Sequence, residues 1–168
     1  MGRYDRGAAA MHGSTDMKGI LVDTEKCMGC RNCEIYCAVQ HSQSRALFAA
    51  VSERPLSVSR VIVESSDTGS LPVQCRHCED AQCVNACPSG ALKKDASTGV
   101  VKHDRDQCIG CYMCAMVCPF GAVIPEKGIK AVLKCDRCPD SDVPACVRSC
   151  ITGALRFGEL DRPAGKAR

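Results

Sequence analysis

Apolar positions along the chain gather in short runs rich in Val and Ile. "GILVD" (19–23), "VSRVIVE" (58–64), "GVVKHD" (99–104) and "KAVLK" (130–134) read as strands. Between them lie four dense cysteine groups, and the residues after the third cysteine of a group, as in "CEIYCAVQH", suit a short helical turn. "SRALFAAVSE" (44–53) reads as a further helix. No apolar stretch approaches the ~18 residues that a membrane span needs. The pattern predicts a small α+β fold.

Leu, Ile, Val and Phe supply only 33 of 168 residues, and there are three Tyr, three Phe and no Trp. A share of about one fifth is near the level at which chains fail to fold by burial alone, so something besides side-chain packing must hold this one. Sixteen cysteines are the evident candidate, as disulfides or as metal ligands. A disulfide scaffold implies secretion. The N-terminus "MGRYDRGAAAMHGSTDMKGI" has no apolar segment of a signal peptide and no twin arginine. Arg6 stands where a myristoylation motif has Ser or Thr. The expectation is a cytoplasmic, reducing setting and metal binding.

The chain reads as one unit written twice. "DTEKCMGCRNC" (23–33) matches "DRDQCIGCYMC" (104–114), and "VQCRHCEDAQCVNACPSGAL" (73–92) matches "LKCDRCPDSDVPACVRSCITGAL" (133–155). Residues 23–92 form one half and 104–155 the other, with an insertion at roughly 40–72 in the first. Residues 18–157 make up the domain, and 1–17 and 158–168 read as a flexible extension and tail.

The compact run C-x2-C-x2-C-x3-C occurs at Cys27, Cys30, Cys33, Cys37 and at Cys108, Cys111, Cys114, Cys118. Widened forms occur at Cys75, Cys78, Cys83, Cys87 and at Cys135, Cys138, Cys146, Cys150. Three thiolates on a tight loop can hold three corners of an iron–sulfur cube, while the fourth, three residues on, completes a different cube. Gly29 and Gly110 fall where the loop must curl and a side chain would strike a cluster. Pro88 and Pro119 follow the last cysteine of their motifs, whereas Ala38 and Ile151 stand there in the other two. Zinc would also relieve a thin core, but a triple C-x2-C-x2-C strains to close on one small ion. Sixteen cysteines divide into four [4Fe-4S] clusters with none left over. At −2 per cluster, four of them turn the formal +3 into −5, so the basic count gives no argument for nucleic acid.

Other polar residues take plainer roles. His77 has four cysteines around it already and reads as a donor to a cluster or as an exposed ring. His12, His41 and His103 have no partner at ligand spacing. Asp23, Glu25, Asp104 and Asp106 read as caps or turn residues. Arg76, Arg137, Lys94 and Lys134 could offset cluster charge or face a partner, with solvated surface the plainer expectation.

These motifs resemble the four-cluster ferredoxin-type electron-transfer subunits of multisubunit oxidoreductases. "CRNCEIYCAVQHS", "CRHCEDAQCVNACPSGAL", "CIGCYMCAMVCPFGA" and "LKCDRCPD" with "VPACVRSC" are most similar to those serving carbon monoxide dehydrogenases and tungsten aldehyde oxidoreductases, with formate dehydrogenase subunits close by. The resemblance implies two ferredoxin-like units and pairing of the first motif with the fourth and the second with the third. The implied cubes are Cys27, Cys30, Cys33 with Cys150; Cys135, Cys138, Cys146 with Cys37; Cys75, Cys78, Cys83 with Cys118; and Cys108, Cys111, Cys114 with Cys87. Only 18 residues follow Cys150, which leaves no room for the membrane anchor of larger relatives. The implied function is a non-catalytic relay between a catalytic subunit (molybdenum- or tungsten-pterin, or carbon monoxide dehydrogenase type) and a flavin or ferredoxin carrier, with further copies of the chain as another partner. A free-standing polyferredoxin diffusing between enzymes is the alternative, and a structural or regulatory cluster protein a third.

Overall fold

Short strands paired across long stretches of sequence organise the chain. The computed structural model describes residues 17–67, 69–126 and 128–160; the extension 1–16, with His12, and the tail 161–168 lie outside the described residues. The first run of elements is β1 (Lys18–Val22), a 3-10 turn (Thr24–Lys26), α1 (Asn32–Gln40), α2 (Leu47–Ala50), β2 (Val61–Ser66), β3 (Gly69–Gln74), α3 (Gln82–Asn85) and β4 (Leu92–Lys94). The second is β5 (Val101–His103), α4 (Met113–Met116), β6 (Ile124–Pro125), β7 (Val132–Leu133), α5 (Ala145–Arg148) and β8 (Leu155–Glu159). The result is a small α+β fold of two-stranded antiparallel sheets and mostly one-turn helices.

The four Val/Ile-rich runs became β1, β2, β5 and β7, because β-branched side chains fit a pleated, half-buried surface. Strand β3 was not legible in "GSLPVQ", whose Gly69, Ser70 and Pro72 read as turn residues. A two-stranded sheet has only edges, so Pro72 opposite Val63 costs little pairing. The helix expected over 44–53 is a single turn, α2, after which the chain bends away.

Pairing crosses the two runs. β1 pairs with β8, Ile20 opposite Phe157 and Val22 opposite Leu155, while β4 pairs with β5, Leu92 opposite His103. β2–β3 and β6–β7 are local hairpins. The outer strands therefore enclose the inner ones, and α1 packs on α5 while α3 packs on α4. Two small cores result. One gathers Cys33, Cys37, Val61, Val63, Cys146 and Leu155, and the other Ala81, Leu92, Val101, Cys114, Val123 and Val132. Cysteines belong to both cores, so thiol groups fill space that Leu and Phe fill in an ordinary domain.

Gly110 shows how tightly the loops are wound. Its φ is +68°, and a Cβ there would lie 2.9 Å from the Cα of Lys130. At Gly29, with φ +71°, a Cβ would meet the Ser70 hydroxyl. What crowds both positions is thus a neighbouring chain segment, a contact that the cysteine spacing could not reveal.

Leu155, 2% exposed, closes the first core, whereas Phe48 on α2 is 90% exposed. Leu155→Ala should cost about 2–5 kcal/mol, and Phe48→Ala should stay within about 0.5 kcal/mol. Denaturant unfolding of the anaerobically purified protein measures both.

Candidate metal centres

Backbone curvature brings the cysteines together. Each triple run passes through a left-handed residue just before its helix, Arg31 ahead of α1 and Tyr112 ahead of α4, both at φ 59°. In the widened motifs His77 and Arg137 have φ of 49° and 63°. Left-handed turns of this kind aim successive N–H groups into one concavity, which suits a site of concentrated negative charge.

Two cysteine cavities lie in the second core. Cys75, Cys78, Cys83 and Cys118 line one, beside Val101 and Phe120. Cys87, Cys108, Cys111 and Cys114 line the other, beside Tyr112 and His103. In the first core, burial pushes the Cys33 thiol up to about 11, and Cys30 and Cys150 add to that push. Burial also drives the Cys146 thiol up, reinforced by Cys135, Cys37, Cys138 and Cys33. Cys27 ends the 3-10 turn, three residues before Cys30, its N–H donating to Thr24 O. Thus Cys30, Cys33 and Cys150 are neighbours, as are Cys37, Cys135, Cys138 and Cys146.

Two contacts between groups set their order. Cys33 acts on Cys146 across the first core. Burial pushes the Cys135 thiol up to about 12, with both Cys37 and Cys75 contributing, so Cys135 adjoins the second core as well. The groups therefore run from Cys30–Cys33–Cys150 to the Cys135 group and then the Cys75 group, and the Cys108 group shares the second core with the Cys75 group.

The last cysteine of three motifs differs electrostatically from the others. Burial pushes Cys37, Cys87 and Cys150 up, yet hydrogen bonds outweigh it and leave all three below the ordinary thiol value. Arg60 N–H donates to Cys37 Sγ at 3.2 Å and Leu155 N–H to Cys150 Sγ at 3.3 Å. Cys87 sits under the N–H groups of Leu92, Ala91 and Ser89. Within the loops the trend reverses, and Cys33 and Cys114 rise to about 11. Four such thiols ionise together only around a cation.

Several side chains depart from the sequence reading. Lys134 and Arg137 are buried, 4% and 9% exposed, and not solvated surface. Lys134 Nζ donates to Val101 O in the second core, and an Arg137 N–H donates to Thr98 O at 3.2 Å. Arg76 is exposed and stacks 4.4 Å above the Phe120 ring, and Lys94 Nζ donates to Cys78 O and Glu79 O at 3.0 and 2.7 Å. Asp104 is a turn residue as expected, accepting from the N–H groups of Asp106 and Gln107.

The histidines gained partners that spacing could not show. His41 Nδ1 donates to Cys37 O at 2.7 Å and Nε2 to Asp136 at 3.2 Å. Burial disfavours the His41 cation, but Asp136 and Cys37 prevail and hold its pKa up at about 9. Arg60 pairs with the same carboxylate. His77, 1% exposed, is no exposed ring; Val101 N–H donates to its Nδ1 at 2.9 Å. Burial, then the Lys134 and Arg137 charges, push its pKa down to about 2. Its proton is therefore on Nε2, which is buried without a protein acceptor, as is Nε2 of His103 beside the Cys108 cavity.

Orphaned N–H donors next to groups of four soft sulfurs fit a sulfide-bearing cluster better than a bare ion. The thiolates supply the ligands, and the donors supply hydrogen bonds to sulfur. The chain's own residues and their arrangement thus fit [4Fe-4S] clusters.

Comparison with known proteins agrees. The 4Fe-4S dicluster domain model matches residues 67–160. An iron-sulfur protein of Rhodospirillum rubrum is 38% identical over 158 residues, covering 84% of this chain and 82% of that one. The electron transport protein HydN of Escherichia coli K12 is 36% identical over 154 residues, covering 81% and 85%. Protein NrfC of the same organism is 35% identical over 159 residues, covering 86% and 66%. Family model, relatives and cysteine groups agree: the chain belongs to the 4Fe-4S dicluster domain family, and it is a ferredoxin-type iron–sulfur electron-transport protein.

Proposed function

We propose that the protein is the electron-transfer subunit of an oxidoreductase complex, relaying single electrons through four [4Fe-4S] clusters. The observation that carries this reading is the serial order of four cysteine groups with thiols exposed only at the two ends. Among the described cysteines Cys30 and Cys111 are exposed, and they belong to the first and last groups. The second group holds the buried Cys37, Cys135, Cys138 and Cys146, and the third, Cys75, Cys78, Cys83 and Cys118, is half-buried throughout. Exposed apolar side chains adjoin ligands of each end along the chain: Met28 beside Cys27 and Ile151 beside Cys150, Ile109 beside Cys108 and Met113 beside Cys114. An electron can enter at one end of the series and leave at the other, through partners docked on those apolar side chains.

In this reading Cys27, Cys30, Cys33 and Cys150 hold the first cluster, and Cys37, Cys135, Cys138 and Cys146 the second. Cys75, Cys78, Cys83 and Cys118 hold the third, and Cys87, Cys108, Cys111 and Cys114 the fourth. Each cluster, when bound, supplies a one-electron couple at near-constant geometry. The chain fixes spacing, excludes water from the inner groups and sets potentials through N–H donors at the last cysteines. Residues 18–157 are the working unit. The order β-α-β-β-α-β of the second run recurs in the first with a 3-10 turn and α2 added, which supports duplication of a segment now spanning 23–92 and 104–155.

On the resemblance of its motifs, the catalytic partner is a tungsten- or molybdenum-pterin or carbon monoxide dehydrogenase type subunit, with a flavin or ferredoxin carrier at the other end. Several copies could extend one path. Sixteen free thiols fit the reducing cytoplasm. Among the described residues, no helix is long and apolar enough to cross a membrane.

Anaerobically purified protein should carry about sixteen irons and sixteen sulfides. Chelation should abolish cooperative unfolding, because the thiol groups are part of both cores. Iron analysis and circular dichroism test this, and stoichiometric zinc or a native-like apoprotein would refute it. Cys118→Ser should disturb the cluster of Cys75, Cys78 and Cys83, lowering iron by up to about a quarter, while EPR of the cluster on Cys108, Cys111 and Cys114 persists. From native extract the chain should elute with a larger catalytic subunit on gel filtration. Elution as a monomer that exchanges electrons rapidly with many enzymes would instead identify a diffusing polyferredoxin.

A further inference from the structure

Lys134 is 4% exposed, and among the described residues no carboxylate pairs with it. A buried ammonium needs negative charge nearby to offset its lost hydration. Nζ donates to Val101 O at 2.5 Å and to Cys135 O at 2.7 Å. Two carbonyls solvate the ammonium without neutralising it, and its third N–H is left over.

The missing negative charge lies on both sides. Val101, whose carbonyl Lys134 holds, lines the cavity of Cys75, Cys78, Cys83 and Cys118, and Lys134 Nζ also donates to the carbonyl of Cys135 in the next group. These groups are the middle two, adjacent through Cys75 and Cys135. Val101, fully buried, is the peptide that ties the junction together, with its carbonyl on Lys134 and its N–H on His77. Nearby, Asp136 is answered by Arg60 and His41, so it does not cancel the Lys134 charge.

We propose that the Lys134 ammonium is the shared counter-ion of the two inner iron–sulfur sites, raising the reduction potential of both while leaving the outer two nearly unchanged. Each inner site takes one electron from a neighbouring site or redox partner and passes the same electron on. Reduction adds one negative charge, and a fixed cation between the sites stabilises that reduced form. The charge sits where electrons cross from one half of the fold to the other, so it levels the crossing for traffic in either direction. Lys134 is thus a positioning and tuning residue, not a ligand.

The inference rests on the four-cluster reading, and the test separates the two. Wild-type protein is first assayed for iron; a value far below about sixteen per chain defeats the four-cluster reading itself. EPR-monitored redox titration then compares wild type with Lys134→Met, Lys134→Gln and Lys134→Arg, the sites being assigned through the spectra of Cys37→Ser and Cys118→Ser. At a fixed potential, Met or Gln should shift the reduced-to-oxidised ratio of both inner sites at least tenfold toward oxidised, 59 mV for a one-electron couple. Arg should restore most of it. Where the uncharged variants lose iron, loss confined to the inner pair, with Arg retaining it, supports the proposal. Unmoved potentials at full iron content overturn it and leave Lys134 as a tie between Val101 and Cys135. Equal shifts at all four sites, iron loss from the outer pair, or an Arg variant that behaves like Met also overturn it.

Discussion

Four thiols cannot ionise side by side in a protein interior unless a cation lies among them, and this chain sets that condition repeatedly. Burial and neighbouring thiolates push Cys33 and Cys114 to about 11 and Cys135 to about 12. Cys33 and Cys114 stand inside the two apolar cores, the first with Val61 and Leu155 and the second with Val101 and Val132. Metal binding and core formation are therefore one event. Assembly of the iron–sulfur sites stabilises the fold, and the fold supplies the low-dielectric surroundings in which their charge is felt.

The grouping of cysteines from different motifs around one cavity follows from the same condition. A helical turn carries the last cysteine of a motif away from its first three, toward another motif's loop. α1 against α5 and α3 against α4 are the contacts that result, with β1–β8 and β4–β5 closing the two units. The N–H groups that lower Cys37, Cys87 and Cys150 come from segments beyond each turn, Arg60, Leu92 and Leu155 among them. These donors favour the thiolate at the last cysteine of three motifs, whereas burial disfavours it at Cys33 and Cys114.

The surface complements the interior. Exposed thiols and apolar side chains stand at the ends of the series, and buried cations, Lys134 and Arg137, stand at its middle. Electron entry needs closeness to solvent and to a partner, whereas transfer between inner sites needs exclusion of water and matched potentials. Each part of the chain has the environment its place in the series requires.

The sequence by itself determined the ligand chemistry. Sixteen cysteines at these spacings, a thin apolar complement, and Val/Ile runs at 19–23, 58–64, 99–104 and 130–134 point to iron–sulfur sites on a small α+β fold. Those features are local: spacing sets loop curvature, and β-branching sets strand preference. Tertiary structure alone decided what depends on contacts between distant residues. His41 reaches Asp136 across 95 positions, Lys134 reaches Val101 across 33, and Gly110 is crowded by Lys130. Strand β3 exists because β2 offers it a partner, despite its Gly69 and Pro72. Burial of Lys134, Arg137 and His77 likewise comes with contacts to distant residues, Val101 and Thr98, and no window of sequence contains those contacts.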